Sequence, residues 1–308
     1  MNLLVGATGF VGGHVVEYLL EQGEISKGVF RRGAHLKILD ASGVQSVEAD
    51  LLNPQELREA MKGVDTVYSI ASPMPYGDKD FARVNSEGTR NLLEAAAEAK
   101  VKVFVHLSTL DVYGFEGHVA TNASKVRPAG PYQESKFVAD GLVQEFAKAN
   151  KETRFVIIRP ARAFGSRDAT LAAPLLRMMD AGIVVLPTAP HGMSFTHPRD
   201  IAQAMFRATT APIQSGMVIL VKSFDATLDE IVSSLSTSLG VTPQRRKEGL
   251  FAKSILPRYT AEQLTASLRL EVQTDWGELG YSPTYDLRKA CEEVVRWYRK
   301  EPWTVEDA

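Results

Sequence analysis

The chain has 308 residues, 44% of them hydrophobic, with 35 basic and 37 acidic side chains and a formal net charge of −2. That composition can build a large core and carries no charge excess for holding nucleic acid or a membrane surface, and its single cysteine, Cys291, excludes an intrachain disulfide and a thiolate metal cluster. No apolar run is long enough to cross a bilayer and the first residues carry no basic export segment, so the expected location is the cytoplasm and the expected partner a small molecule.

Asn2-Leu3-Leu4-Val5 is an apolar run that reads as a buried parallel strand. The turn Gly6-Ala7-Thr8-Gly9-Phe10-Val11-Gly12 follows at once, and residues 14–22 read as the helix that leaves it. A glycine-rich turn between strand and helix is a phosphate cradle. Gly6 permits the tight turn, Gly9 lets backbone amides approach a diphosphate, and Gly12 lets helix and strand pack closely. The helix start adds free N–H groups and the positive end of its dipole. Gly6, Thr8, Gly9, Phe10, Val11 and Gly12 are therefore the expected diphosphate contacts.

Residues 27–30 predict a second strand ending in Arg31-Arg32, and residues 44–49 a third, closed by Asp50-Leu51. Asn53-Pro54-Gln55-Glu56 combines a cap residue, a proline at the first helical position and an early acid, so it starts a helix. A fourth strand over 64–71, a helix over 81–99 and a fifth strand over 101–107 come next. The helix Pro131–Ala149 and a sixth strand over 154–159 complete the series. Strands alternating with helices call for a parallel sheet covered on both faces and wound in both directions. Ligands of such sheets sit outside the carboxyl ends of the strands.

Past residue 160 the alternation loosens. Helices are predicted over 169–180 and 198–209, from the capping box Thr227-Leu228-Asp229-Glu230, from Thr260, and over Leu287–Lys300. Ile183–Leu186 and Met217–Val221 read as strands. The expected organisation is a doubly wound α/β (Rossmann) unit over residues 1–165 and a smaller substrate-binding lobe over 166–308. Elements such as Met217–Val221 are free to rejoin the main sheet.

The chemistry centres on Tyr132-Gln133-Glu134-Ser135-Lys136. Residues four apart share a helix face, so Tyr132 and Lys136 point into the same space. A free phenol titrates at about 10, and a nearby ammonium favours the phenolate and lowers that value. The phenol then gives or takes the proton of a substrate hydroxyl while hydride moves on the adjacent carbon. The fifth strand meanwhile runs into Ser108-Thr109, which adds hydroxyls at a strand end.

These features together resemble the extended short-chain dehydrogenase/reductase (NAD-dependent epimerase/dehydratase) family over nearly the whole chain. The resemblance rests on the glycine turn, Asp50-Leu51, Val84-Asn85 with Gly88-Thr89, Ser108-Thr109 with Val112-Tyr113-Gly114, Tyr132 with Lys136, Arg159-Pro160 with Phe164-Gly165, and Leu279-Gly280-Tyr281-Ser282-Pro283. It implies that Thr109 is the catalytic hydroxyl, with Ser108 as second choice, and that Tyr132 is the acid/base and also meets the cofactor. It implies that Lys136 also holds the nicotinamide ribose and that Asp50 and Leu51 meet the adenine end. Ile70 and Ala71 would line the cofactor, Asn85 would support the site, and Pro160 and Ala163 would lie near the nicotinamide. A homodimer packed through Pro131–Ala149 and the preceding helix is a further implication.

Arg31 and Arg32 end the second strand with no acid beside them, which favours NADP over NAD, because an arginine there accommodates a 2′-phosphate. The family's dehydratases carry Thr-Asp-Glu where this chain has Thr109-Leu110-Asp111, and Leu110 cannot act as an acid. Asp111 remains a candidate to face substrate. Arg162 stands where many epimerases carry Asn, and a fixed cation there suits a carboxylate or phosphate, or else a rim ion pair. Ser72, Met74 and Tyr76 follow the fourth strand as a possible substrate wall. His197 falls at a substrate-adjacent turn, although a structural histidine is the simpler reading, and neither it nor His191 has the company of a zinc site. The expected function is an NAD(P)-dependent oxidoreductase acting on a secondary alcohol or ketone carbon. The alternatives are a nucleotide-sugar 4-epimerase with bound NAD and a non-catalytic NADP sensor.

Overall fold

In a computed structural model, residues 1–34, 39–40, 43–73, 80–114, 119–186, 192–247, 258–266, 268–271 and 275–300 are described. The apolar runs become seven strands of one parallel sheet: β1 (Asn2–Val5), β2 (Ser26–Phe30), β3 (Gln45–Glu48), β4 (Thr66–Ser69), β5 (Val103–Leu107), β6 (Arg154–Pro160) and β7 (Met217–Val221). Their spatial order is β7-β6-β5-β4-β1-β2-β3, and every pairing is parallel. The chain thus starts in the middle of the sheet and reverses direction between β1 and β4, which opens a crevice at the carboxyl ends of those strands. Met217–Val221 comes from the C-terminal half and forms the edge of this sheet beside β6.

Successive side chains of a strand face opposite ways, and the core divides accordingly. Leu4, Tyr68, Val105 and Ile158 pack with Val15, Val16 and Leu19 of helix α1 (Phe10–Glu21) and with Met205 of the helix Pro198–Thr210. Leu3, Val5, Val67, Phe104 and Ile157 pack on the other face. Their partners there come from α2 (Pro54–Ala60), α3 (Gly88–Glu98) and α4 (Pro131–Ala149), through Leu57, Leu92, Leu93, Leu142 and Val143. Each fully buried aliphatic side chain of this kind contributes about 1.5–3 kcal/mol. A third cluster, including Phe164, Leu175, Phe195, Ile231, Leu235, Cys291 and Val294, forms the core of the C-terminal half.

The predicted caps form. Asn53 accepts hydrogen bonds from the amides of Gln55 and Glu56 ahead of α2, and Thr227 and Glu230 make a reciprocal capping box ahead of Leu228–Leu239. Several element ends shift by one to three residues, and two differences bear on the site. Helix α1 begins at Phe10 rather than residue 14, so Phe10, Val11 and Gly12 form its first turn. Residues 81–99 do not form one regular helix, because Ala82–Glu87 is a wider π-helical turn leading into α3. No described helix is long and apolar enough to cross a membrane.

Two glycines of the first turn are fixed by sterics. Gly6 has φ +97°, and a Cβ there would lie 2.5 Å from the Ala71 nitrogen; a Cβ on Gly12 would lie 1.9 Å from the Gly6 oxygen. Gly12→Ala should therefore cost about 2–3 kcal/mol in urea unfolding, as overpacking does. Gly141→Ala is the control: its Cβ meets nothing within 4 Å inside α4. That change should be neutral or stabilise by up to about 1 kcal/mol.

Candidate active site

The turn between β1 and α1 is held shut by a hydrogen bond from the Gly9 amide to the Gly6 carbonyl at 3.1 Å. Gly9 is the N-cap of α1 and offers no side chain to the first-turn amides, and no acidic residue lies in that turn. Those amides are the groups a helix cannot pair within itself. A Cβ on Gly9 would meet only the Gly6 oxygen at 3.4 Å, so internal packing alone does not demand glycine there. An exposed, uncapped, acid-free helix start fits the diphosphate of a dinucleotide.

Helix α4 opens with Gly130 and Pro131. The Tyr132 ring packs edge to face on Phe81 at 5.7 Å. Lys136, one turn on, is buried, and its Nζ donates to the Leu107 carbonyl at 2.6 Å. Leu107 ends β5 and precedes Ser108-Thr109, so this bond joins the two motifs. Burial pulls the Lys136 ammonium down from 10.5 to about 8, against the raising effect of Asp140.

The two hydroxyls after β5 are used differently. Ser108 is buried and donates to Asp140 Oδ2 at 2.8 Å. Thr109 is half-buried, and its Oγ1 accepts from the Asp111 amide at 3.2 Å, which leaves its hydroxyl proton available as a donor. Asp140, one turn past Lys136, also accepts from Arg159 Nε at 2.9 Å. Arg159 Nη1 donates to the Tyr113 hydroxyl at 2.9 Å. His106 of β5 lies 3.8 Å from Asp140 Oδ1 and contacts Ser69 Oγ at 3.2 Å. Burial, with Lys136 and Arg159 nearby, keeps the His106 imidazole well below its ordinary value and so neutral. Nothing in the local sequence pattern marked Asp140 except its place on the Tyr132–Lys136 face.

The residues expected to contact the cofactor are placed as follows. Ile70 and Ala71 donate their amides to the Val5 carbonyl at 2.9 and 2.8 Å at the end of β4. Asn85 is buried in the π-helical turn; its Nδ2 donates to Ser135 Oγ at 3.0 Å, and Ser135 donates to the Tyr132 carbonyl at 2.7 Å. Its Oδ1 is buried without a hydrogen-bond partner. The Asp50 carboxylate accepts from the Leu52 amide at 2.8 Å, and the Leu51 carbonyl accepts from Asn91 at 3.0 Å. Arg32 is almost fully exposed and paired with Glu48 at 3.0 Å. Arg31 is exposed and makes no ion pair with the described residues. Pro160 closes β6, paired with Val221. Ala163 pairs with Thr196.

Of the residues expected on the substrate side, Arg162 is buried, donating Nη2 to Thr170 Oγ1 at 2.7 Å and Nη1 to Gln263 Oε1; among the described residues it forms no ion pair and its Nε has no partner. Gln263, from the helix Arg258–Ala266, donates its own Nε2 to Asp111. Ser72 Oγ donates to the Pro73 carbonyl at 3.3 Å. Met74, Tyr76 and His191 lie outside the described residues. His197 is integrated into the packing of the C-terminal half. The ring is fully buried, accepts the Arg199 amide as the cap of Pro198–Thr210, contacts Glu293 through Nε2, and stacks on Tyr285 at 3.5 Å. Among the described residues no group of three or more His, Cys, Asp or Glu side chains is arranged to hold a metal ion.

The NAD dependent epimerase/dehydratase family model matches residues 2–220. Sterol demethylase protein B of Methylococcus capsulatus is 27% identical over 97% of this chain and 98% of its own. Sterol-4-alpha-carboxylate 3-dehydrogenase, decarboxylating, of Mus musculus is 35% identical over 56% of this chain, which spans 48% of that protein. Among solved structures, UDP-glucuronic acid 4-epimerase from Bacillus cereus in complex with NAD matches with a TM-score of 0.81 at 22% identity. That match covers 97% of this chain and 99% of the other and shows a shared fold.

Burial also holds a second histidine neutral. His14 of α1 is pushed from 6.5 down to about 3 by burial and by Arg167, with Nε2 3.0 Å from the Ser166 carbonyl. The unfolded chain takes the proton that folded His14 refuses, so this stability is complete above about 6.5 and is lost as pH falls. Glu293, pulled down to about 2 mainly by His197, keeps its contribution until pH falls below the ordinary 4.5. Between pH 6.5 and 4.5 His14 and His106 each lose this contribution, at up to about 1.4 kcal/mol per pH unit for each proton. His14→Gln should flatten the measured slope of unfolding free energy in that window by close to one proton; an unchanged slope contradicts the assignment.

Proposed function

We propose that this chain, which belongs to the NAD-dependent epimerase/dehydratase family, is an oxidoreductase that moves hydride between a nicotinamide dinucleotide and a secondary alcohol or ketone carbon. The observation that carries this reading is the bond from buried Lys136 to the Leu107 carbonyl. It brings the Tyr132 face of α4 against the strand end that presents Thr109. An intact Tyr–Lys pair argues against a cofactor sensor.

The dinucleotide, when bound, supplies or takes the hydride. Thr109 donates its hydroxyl proton to the substrate oxygen and orients it. Tyr132 gives that oxygen a proton in reduction and takes one in oxidation. The Lys136 ammonium lowers the cost of the phenolate and offers a donor to the ribose. The uncapped start of α1 binds the diphosphate, Asp50 and Leu51 face the adenine end, and exposed Arg31 takes a 2′-phosphate, which favours NADP. Ser108 is a supporting residue because its hydroxyl is spent on Asp140.

Residues 166–308 supply most of the substrate side and reach Arg162 at the end of the first unit. Among the described residues Arg162 is a buried cation held by the neutral groups of Gln263 and Thr170, which suits an anionic substituent on the substrate. The mouse relative is named for a carboxylate, in keeping with that preference. Exposed Phe137 and Val138 on α4 support pairing of two copies through this helix.

The test is titration with NADP(H) and NAD(H), followed by turnover of a panel of 3-oxo acids and their methyl esters. Tyr132→Phe should lower turnover by about 10²- to 10⁴-fold, the usual worth of an acid/base, and leave NADPH affinity unchanged. Arg31→Ala should weaken NADPH about tenfold, roughly 1.4 kcal/mol, and spare NADH. Acids should outperform their esters, and Arg162→Met should erase that difference. Tightly retained NAD with no net consumption would replace this reading with a nucleotide-sugar 4-epimerase.

A further inference from the structure

Two cations and one carboxylate are buried together beneath the candidate acid/base pair. Lys136, Arg159 and Asp140 are 2, 5 and 1% exposed. Asp140 follows Lys136 by four residues on α4, as Lys136 follows Tyr132, so all three share one helix face. The groups that face Asp140 come from every neighbouring element. Ser108 donates from the end of β5, Arg159 donates from β6 and carries Tyr113 on its other arm, and His106 of β5 stands neutral 3.8 Å away. The ion pair with Arg159 is 2.9 Å long through Nη2 as well.

We propose that Asp140 is a positioning residue for the Tyr132–Lys136 pair: its carboxylate is the counter-charge that lets Lys136 remain an ammonium ion in a buried site. The inference rests on the assignment of Lys136 above and extends it to the residue that sets its charge. Ser108 and Arg159 both reach Oδ2, and the Arg159 contacts are charge-assisted ones that favour an ionised carboxylate, while Oδ1 is buried 3.8 Å from His106 with no hydrogen-bond partner among the described residues. Protonating it would leave two buried cations without an anion, a heavily penalised state. Burial pushes the Asp140 carboxyl above its ordinary value, while Arg159, Lys136 and Ser108 pull against that push. On Lys136, burial acts downward and Asp140 is the charge acting upward. An Arg159 pair alone would balance one cation; the second cation is what gives Asp140 work beyond holding β6 to α4. Without it, Lys136 sheds its proton and the phenol loses the charge that makes it a usable acid/base.

The experiment reads Lys136 directly, in the full-length protein without substrate. Lysine labelled with ¹³C at Cε is followed by NMR from pH 6 to 11, with the Lys136 signal identified by its loss in Lys136→Met. Wild-type Lys136 should titrate near 8, below its ordinary 10.5. Asp140→Asn should lower the midpoint by at least about one unit, the scale of one close opposite charge. Asp140→Asn combined with Arg159→Gln removes the buried pair together, a change proteins tolerate better than removing one partner; the midpoint should still fall. A midpoint within about 0.3 unit of wild type in either folded variant overturns the proposal. So does a wild-type midpoint at the ordinary value, a reading that needs no variant. Failure of the catalytic reading looks different: Tyr132→Phe would keep its turnover while the Lys136 titration still responds to Asp140.

Discussion

A buried ammonium group is the constraint around which the first half of the molecule is arranged. Lys136 cannot sit at the carboxyl end of β5 without a carbonyl to accept its proton and a negative charge to balance it. Leu107 provides the first and Asp140 the second. Meeting those needs draws in Ser108, Arg159 and Tyr113. The ends of β5 and β6, the turn after β5 and helix α4 are thereby locked to one another. Thr109, next to Ser108 but outside the network, is half-buried and accepts from the Asp111 amide. The candidate reactive groups thus adjoin a polar network that is itself buried.

The two halves of the chain are joined by polar ties as well as by β7. Arg167 forms a bidentate pair with Glu17 of α1, at 2.8 and 2.9 Å. His14 of α1 reaches Ser166, and Ser166 and His197 both reach Glu293 of the last helix. On the opposite side of the site, Gln263 bridges Arg162 and Asp111. Substrate placed between the halves would be bounded by fixed groups from both. A neutral amide now occupies the Arg162 guanidinium, and an anion would bind it more strongly.

Much of the first half was legible because its signals are local. A strand, a glycine turn and a helix lie next to one another in sequence, and Tyr132 and Lys136 are one helical turn apart. The helix α1 starts at Phe10, inside the glycine turn, because Gly12 packs against Gly6 within the first helical turn, so the turn and the helix overlap in sequence. The π-helical turn at Ala82–Glu87 leaves no periodicity to read. Asp140 was readable in part, since it continues the same face, but its partners are 19 and 32 residues away. Gln263 had no local signal at all, because its contacts lie 101 and 152 residues away. The burial of Arg162 and of His197 had no local signal either, because it comes from the helix Arg258–Ala266 and from Tyr285 and Glu293 far along the chain.

The most direct measurement is a crystal structure with NADP bound. The account predicts the diphosphate on the first-turn amides of α1, the 2′-phosphate at Arg31, and Lys136 Nζ turned from the Leu107 carbonyl to the nicotinamide ribose, with the ring beside Tyr132 and Thr109. A dinucleotide bound away from the Gly6 to Gly12 turn, or a nicotinamide remote from Tyr132 with Lys136 still on Leu107, would contradict it.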